Sequence, residues 1–184
     1  KENIILKNGV TLIGAGASKT TLKGDDRDVT LTLSGASTVI GITISYGSNG
    51  VQTQSGRAKI IDCVITRNRG SGILAVKAMP EIINTVICNN NGNGIQGTTI
   101  GGGAALFENL TIASNQGYGI SIENSEPIAI SNSIFYKNGI RAINPKKGTV
   151  IATGNIFLPK QSGFEENNRT QDVKFEKAKE KRSL

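Results

Sequence analysis

The chain has 184 residues, 37% of them hydrophobic, enough to bury one substantial core, and it contains no run of about 18 apolar residues that would span a membrane. Its net charge of +7 is spread thinly and aromatic residues make up only 4%, which argues against the basic, ring-studded surface of a nucleic-acid platform. His and Trp are absent, Pro occurs 4 times and Gly 23 times, a balance that favours short strands joined by tight turns over packed helices.

Residues 1–6 (KENIIL) read as strand from the outset, and because a solenoid needs a capped end, a capping segment before Lys1 is expected. Residues 10–13, 20–22, 29–33 and 38–40 read as further strands of one or two coils with variable turns. From Gly41 a repeat emerges: GITI (41–44), DCVI (62–65), NTVI (84–87), NLTI (109–112), NSIF (132–135) and GNIF (154–157) align on their last residue, at spacings of 21, 22, 25, 23 and 22. Each of the first five is followed by a Gly-led run, at Gly50-Val51, Gly72-Ile73, Gly94-Ile95, Gly119-Ile120 and Gly139-Ile140. A third run closes each coil, at residues 59–61, 81–83, 105–107, 128–130 and 149–151.

Three short β-rich runs per turn of about 22 residues predict an all-β, right-handed, single-stranded parallel β-helix with three sheets over residues 1–157. Ile44, Ile65, Ile87, Ile112, Phe135 and Phe157 should form one internal ladder, each layer burying its apolar residues only by having neighbours above and below. Asn68, Asn90, Asn115 and Asn138 each fall three residues beyond that ladder and predict an asparagine ladder, since Asn tolerates a left-handed turn and its amide can bond to the Asn in the next coil. In this register Cys63 faces the core and Cys88 lies at a turn, so the two do not pair. Residues 158–184 read as a polar tail or linker in which 173–181 could form one short amphipathic helix.

The units NTVICNNNGNGI (84–95), NLTIASNQGYGI (109–120) and NSIFYKNGI (132–140) resemble the first strand, Asn turn and Gly-led second strand of the pectin-lyase-like right-handed β-helix superfamily, in particular its bacterial carbohydrate-binding and sugar-hydrolase-type repeats. The opening residues 1–24 look like the first coils of an uncharacterised bacterial subgroup. The resemblance implies an extracellular, cell-surface or periplasmic location and contact with polysaccharide. It does not choose an activity, because lyases, hydrolases, epimerases and adhesins share this fold.

Any activity therefore rests on individual residues. A lyase or epimerase needs a base and a cation beside the sugar carboxyl, and a hydrolase needs two placed carboxylates. In this register Asp62, Glu81, Glu108 and Glu123 share no column, and no catalytic motif transfers. Asp25, Asp26 and Asp28 form the dense acidic group and are the candidate metal ligands, for calcium if the chain is an enzyme, although turn capping is the ordinary role of Asp in such a loop. The Gly-rich GAGASKT (14–20) lacks the Gly that a phosphate loop places before its Lys, and reads as a corner between strands.

The coil from Ile87 to Ile112 is the longest, with its extra residues at about 98–103. Arg67, Asn89, Ser114 and Lys137, beside the Asn ladder, with Tyr118 and Tyr136 near the adjacent turns, form a candidate polar groove for a sugar chain. The leading expectation is a non-catalytic module for glycan contact, adhesion or scaffolding that needs no cofactor. Its partners would be a polysaccharide or another protein of a surface assembly, with neither nucleic acid nor a membrane span, and end-to-end oligomers would use the unpaired strand edges of an open coil. The alternatives are a carbohydrate-active enzyme and a filament subunit.

Overall fold

The computed structural model describes residues 1–98, 105–123, 127–147, 149–159 and Asn168. The chain winds through short strands in a repeating order: β1 (Ile4–Leu6), β2 (Thr11–Ile13), β3 (Thr21–Lys23), β4 (Leu31–Ser34), β5 (Thr38–Ile40), β6 (Thr43–Ser45), β7 (Val51–Ser55), β8 (Lys59–Ile61), β9 (Val64–Thr66) and β10 (Ile73–Ala75). It continues through β11 (Glu81–Ile83), β12 (Val86–Cys88), β13 (Ile95–Gly97), β14 (Ala105–Glu108), β15 (Thr111–Ala113), β16 (Ile120–Glu123), β17 (Ile128–Ser131), β18 (Ile134–Tyr136), β19 (Ile143–Lys147), β20 (Val150–Thr153) and β21 (Ile156–Leu158). Every third strand pairs, in parallel, giving three seven-stranded sheets: sheet A from β1 to β19, sheet B from β2 to β20 and sheet C from β3 to β21. This is the predicted three-sheet parallel solenoid, and residues 1–45 supply two full coils of it.

The internal ladder forms as the spacing predicts. Ile44, Ile65, Ile87, Ile112, Phe135 and Phe157 are consecutive register partners in sheet C and all are buried, with Leu22 extending the row into the first coil. The Phe135 and Phe157 rings stack at 5.0 Å between centroids. Sheet B contributes Val39, Ile60, Ile82, Phe107 and Ile130, and sheet A two inward residues per strand, such as Leu31 with Leu33 and Ile120 with Ile122. Alternation along each three-residue strand sends the intervening side chains outward.

Corners on both sides of sheet C turn through the left-handed conformation. Entering the sheet it is carried by Gly41, Asp62, Asn84, Asn109, Asn132 and Gly154, the first residue of each repeat unit. Leaving the sheet it is carried by Tyr46, Arg67, Asn89, Ser114 and Lys137. The ladder asparagines themselves are not left-handed: the residue before each one makes the turn, and this frees the Asn side chain to point inward and bond along the axis.

Three further expectations change. The sheet A strand of the seventh coil begins at Ile143, the partner of Ile120, whereas Ile140 of the expected Gly139-Ile140 run is 56% exposed. Cys88 ends β12 instead of lying in a turn, while Cys63 is buried as expected, and both thiols are free. Leu158 belongs to β21, and Asn168, within the expected tail, donates from Nδ2 to the Ala152 carbonyl and accepts from Asn155 Nδ2 at 3.0 Å, so part of that segment meets the last coil. The expected insertion at about 98–103, apart from Thr98, and the expected helix at 173–181 lie outside the described residues.

Candidate functional site: the corner between sheets C and A

The corner from sheet C to sheet A is built around buried carboxamides. Asn68 donates from Nδ2 to Asn90 Oδ1 at 2.9 Å, Asn90 likewise to Asn115 at 2.9 Å, and Asn115 to Asn138 at 3.0 Å. Asn90, Asn115 and Asn138 each also donate to a carbonyl of the coil below and accept the backbone N–H of the preceding ladder Asn, while Asn68 Oδ1 accepts the Gly47 N–H at 3.0 Å. These bonds satisfy the polar groups that the turn would otherwise strand in the core.

Because the ladder asparagines hold the inside of the corner, the left-handed residues before them are displayed outside. Arg67, Asn89, Ser114 and Lys137 are all exposed and occupy one column in four successive coils, as the sequence placed them, with Tyr46 next in line. Tyr136 ends β18 immediately before Lys137, whose ammonium stands 5.0 Å from the Tyr136 ring centre; a hydrogen bond with Tyr136 holds the Lys137 pKa above its ordinary value. Tyr118 is set apart on the sheet A side of the corner, its N–H donating to Asn93 Oδ1 at 2.8 Å.

The acidic loop occupies the same corner one coil from the start, between β3 and β4. Asp25 Oδ1 accepts the N–H groups of Asp28 at 3.2 Å and Arg27 at 3.1 Å, and these bonds hold its carboxyl below the usual carboxylate range. Asp26 takes a left-handed turn and is exposed. Asp28 departs from the loop's capping role: its Oδ2 lies 3.4 Å from Asn3 Nδ2 and the residue lines a cleft of about 300 Å³ with Thr32 and Gln52. Among the described residues no group of three or more His, Cys, Asp or Glu is arranged to hold a metal ion, and Asp25 is already engaged as a turn cap, so this donor set does not fit a calcium centre.

Comparison of the sequence with known families matches residues 29–178 to the right-handed β-helix region. The chain belongs to that family. No curated protein and no solved structure matches it.

Two outward features of this β-helix went unread in the sequence. Beside the left-handed column, Asn91 and Gln116 are exposed and joined by a Gln116 Nε2 to Asn91 Oδ1 bond of 3.3 Å, and Asn49 and Asn93 accept the N–H groups of Ser71 and Tyr118 in the coils that follow. The signal was present in the N-x-G-x-G spacing at 68–72, 90–94 and 115–119, whose variable positions face solvent or cap the next coil. On the outer face of sheet B, Ile13, Ile40, Ile61 and Ile83 are in register as an apolar row, flanked by a Lys59 to Glu81 ion pair at 2.8 Å. A second cleft, of about 100 Å³, opens beside that pair and is lined by Arg57, Met79 and Leu106.

Proposed function

We propose that this β-helix is a non-catalytic module that meets an extended glycan outside the cytoplasm, with the corner between sheets C and A as its contact face. The observation that carries the reading is the exposed column of Arg67, Asn89, Ser114 and Lys137, one polar side chain per coil. Coil stacking repeats these groups at about 4.8 Å, so a polymer lying along the axis meets several coils at once and weak hydrogen bonds add. Guanidinium, amide and hydroxyl groups together offer both donors and acceptors to sugar hydroxyls and carboxylates.

The test is a screen of the protein against uronate-containing and neutral polysaccharides, with and without calcium, following binding, ultraviolet absorbance of unsaturated products and new reducing ends. Binding without product, weakened at least fivefold by a combined Arg67→Ala and Lys137→Ala change, is the expected result. Product formation would overturn the non-catalytic reading in favour of a carbohydrate-active enzyme, and an undiminished double variant would move the contact face elsewhere.

The isoleucine row on sheet B supports a second reading, a protein neighbour in a surface assembly, because an in-register apolar row gives up little hydration when covered. Sedimentation across a wide concentration range tests the homotypic form: a strictly monomeric particle would rule out self-assembly through this face.

A further inference from the structure

The cleft at the start of sheet A brings together polar groups that have no hydrogen-bond partner among the described residues. Its floor is the outward column Ile5, Thr32 and Gln52, register partners in three consecutive coils, and Asn3, Asp28 and Val29 form one wall. Thr32 is only 8% exposed, yet among the described residues neither its hydroxyl nor the Gln52 carboxamide has a hydrogen-bond partner. The same column two coils beyond Gln52 behaves otherwise: Gln96 Oε1 accepts from Ser71 Oγ at 3.0 Å and from Asn93 Nδ2 at 3.5 Å. A hydroxyl and a carboxamide that converge on one cavity with a carboxylate are the donors and acceptors of a ligand site.

The geometry points to a site for a primary alkylammonium group. An ammonium has three N–H donors and no acceptor, and the cleft offers it oxygens from the Asp28 carboxylate, the Thr32 hydroxyl and the Gln52 carboxamide. The bond to Asp28 is charge-assisted, and Asp25 and Asp26 in the same loop add two negative charges against the one positive charge of Arg27 that follows them. Ile5, 69% exposed at the edge of the cleft, gives a methylene stem an apolar surface to lie on while the charge reaches inward. An anionic sugar is disfavoured by Asp28, so this site is distinct in chemistry as well as place from the cationic column at Arg67 and Lys137. Two sources carry the required group, a free polyamine and the lysine side chain of a protein partner.

The experiment is a titration of isotope-labelled full-length protein, at low ionic strength, with cadaverine, with Nα-acetyl-lysine N-methylamide and with methyl glucoside, following backbone amide shifts. Saturable shifts at residues 3–5, 28–32 and 52 with an amine are expected, at least tenfold weaker in Asp28→Asn, several-fold weaker in Gln52→Ala, and unchanged in Arg67→Ala. Saturation by cadaverine alone would assign a free polyamine, and equal saturation by the lysine amide a protein side chain. The inference is overturned if neither amine saturates, if Asp28→Asn binds as well as wild type with an otherwise unchanged spectrum, or if methyl glucoside produces the same shifts at the same concentration. Because Arg67→Ala is silent here, failure of this site and failure of the glycan face are read separately.

Discussion

Asn90 joins three coils through one side chain. It donates to the Ile65 carbonyl at 3.2 Å and to Asn115 Oδ1 at 2.9 Å, and it accepts both the N–H and the amide of Asn68. Replacement by Ala leaves the Ile65 carbonyl and the Asn68 N–H buried and unpaired, at about 1–3 kcal/mol each, so Asn90→Ala is expected to lower unfolding stability by about 3 kcal/mol in denaturant melts. Ser37 is the opposite case. Its Oγ is buried and has no partner among the described residues, and the neighbouring coil has Ala58 beside it, so Ser37→Ala is expected to be neutral or to stabilise by up to about 1 kcal/mol. A loss for Ser37→Ala as large as for Asn90→Ala would show that the hydroxyl is bonded. The Asn ladder was legible from spacing alone. Ser37 was not, because satisfaction depends on what stands above and below.

Among the strands, the glycine that opens four of the seven sheet A strands shows why a local motif holds in some coils and fails in others. A Cβ on Gly50, Gly72, Gly94 or Gly119 would stand 2.5 to 2.8 Å from the carbonyl oxygen of the equivalent residue in the next coil. In the seventh coil that position is Ala142, and β19, which it precedes, is the last described strand of sheet A, so no described strand stacks over it. From Gly50 to Gly119 the carbonyl of the next coil leaves no room for a Cβ, although Thr30 fills the equivalent place beneath Gly50, so a Gly-Ile pair does not by itself mark the start of a sheet A strand and the match at 139–140 misled the register by three residues. Gly119→Ala is expected to destabilise by about 1–3 kcal/mol through overpacking against the Ala142 carbonyl. Ala142→Gly should cost less than about 1 kcal/mol, the backbone entropy alone. Chemical denaturation of the pair checks this, and equal losses would count against the stacking explanation.

Over the whole molecule, stability depends on position along the axis, since each coil touches only its neighbours. Phe107 is fully buried in mid-solenoid between Ile82 and Ile130, and Phe107→Ala is expected to cost about 3–5 kcal/mol of global stability. Among the described residues Leu22 has a register partner on one side, Ile44, and it remains partly exposed. Leu22→Ala should lose less than half as much and should appear in hydrogen exchange as faster opening of residues 21–23 without a matching drop at β12 or β15. Uniform acceleration along the chain would show that the solenoid opens as a single unit.

By itself the sequence determined the repeat, the three runs per coil, the apolar ladder from Ile44 to Phe157 and the Asn ladder, because each is written within one coil and then repeated. It also named the displayed column at Arg67, Asn89, Ser114 and Lys137, since those residues hold fixed places beside Asn68, Asn90, Asn115 and Asn138. Only the tertiary structure decided which residue of each corner turns left-handed, where sheet A resumes after Asn138, and that Asp28 meets Asn3, Thr32 and Gln52 around one cleft while Asp25 caps a turn. The physical reason is that coil register is fixed by main-chain bonds between strands some 22 residues apart. Which outward side chains become neighbours depends on the summed length of every intervening corner, and no single coil records that sum.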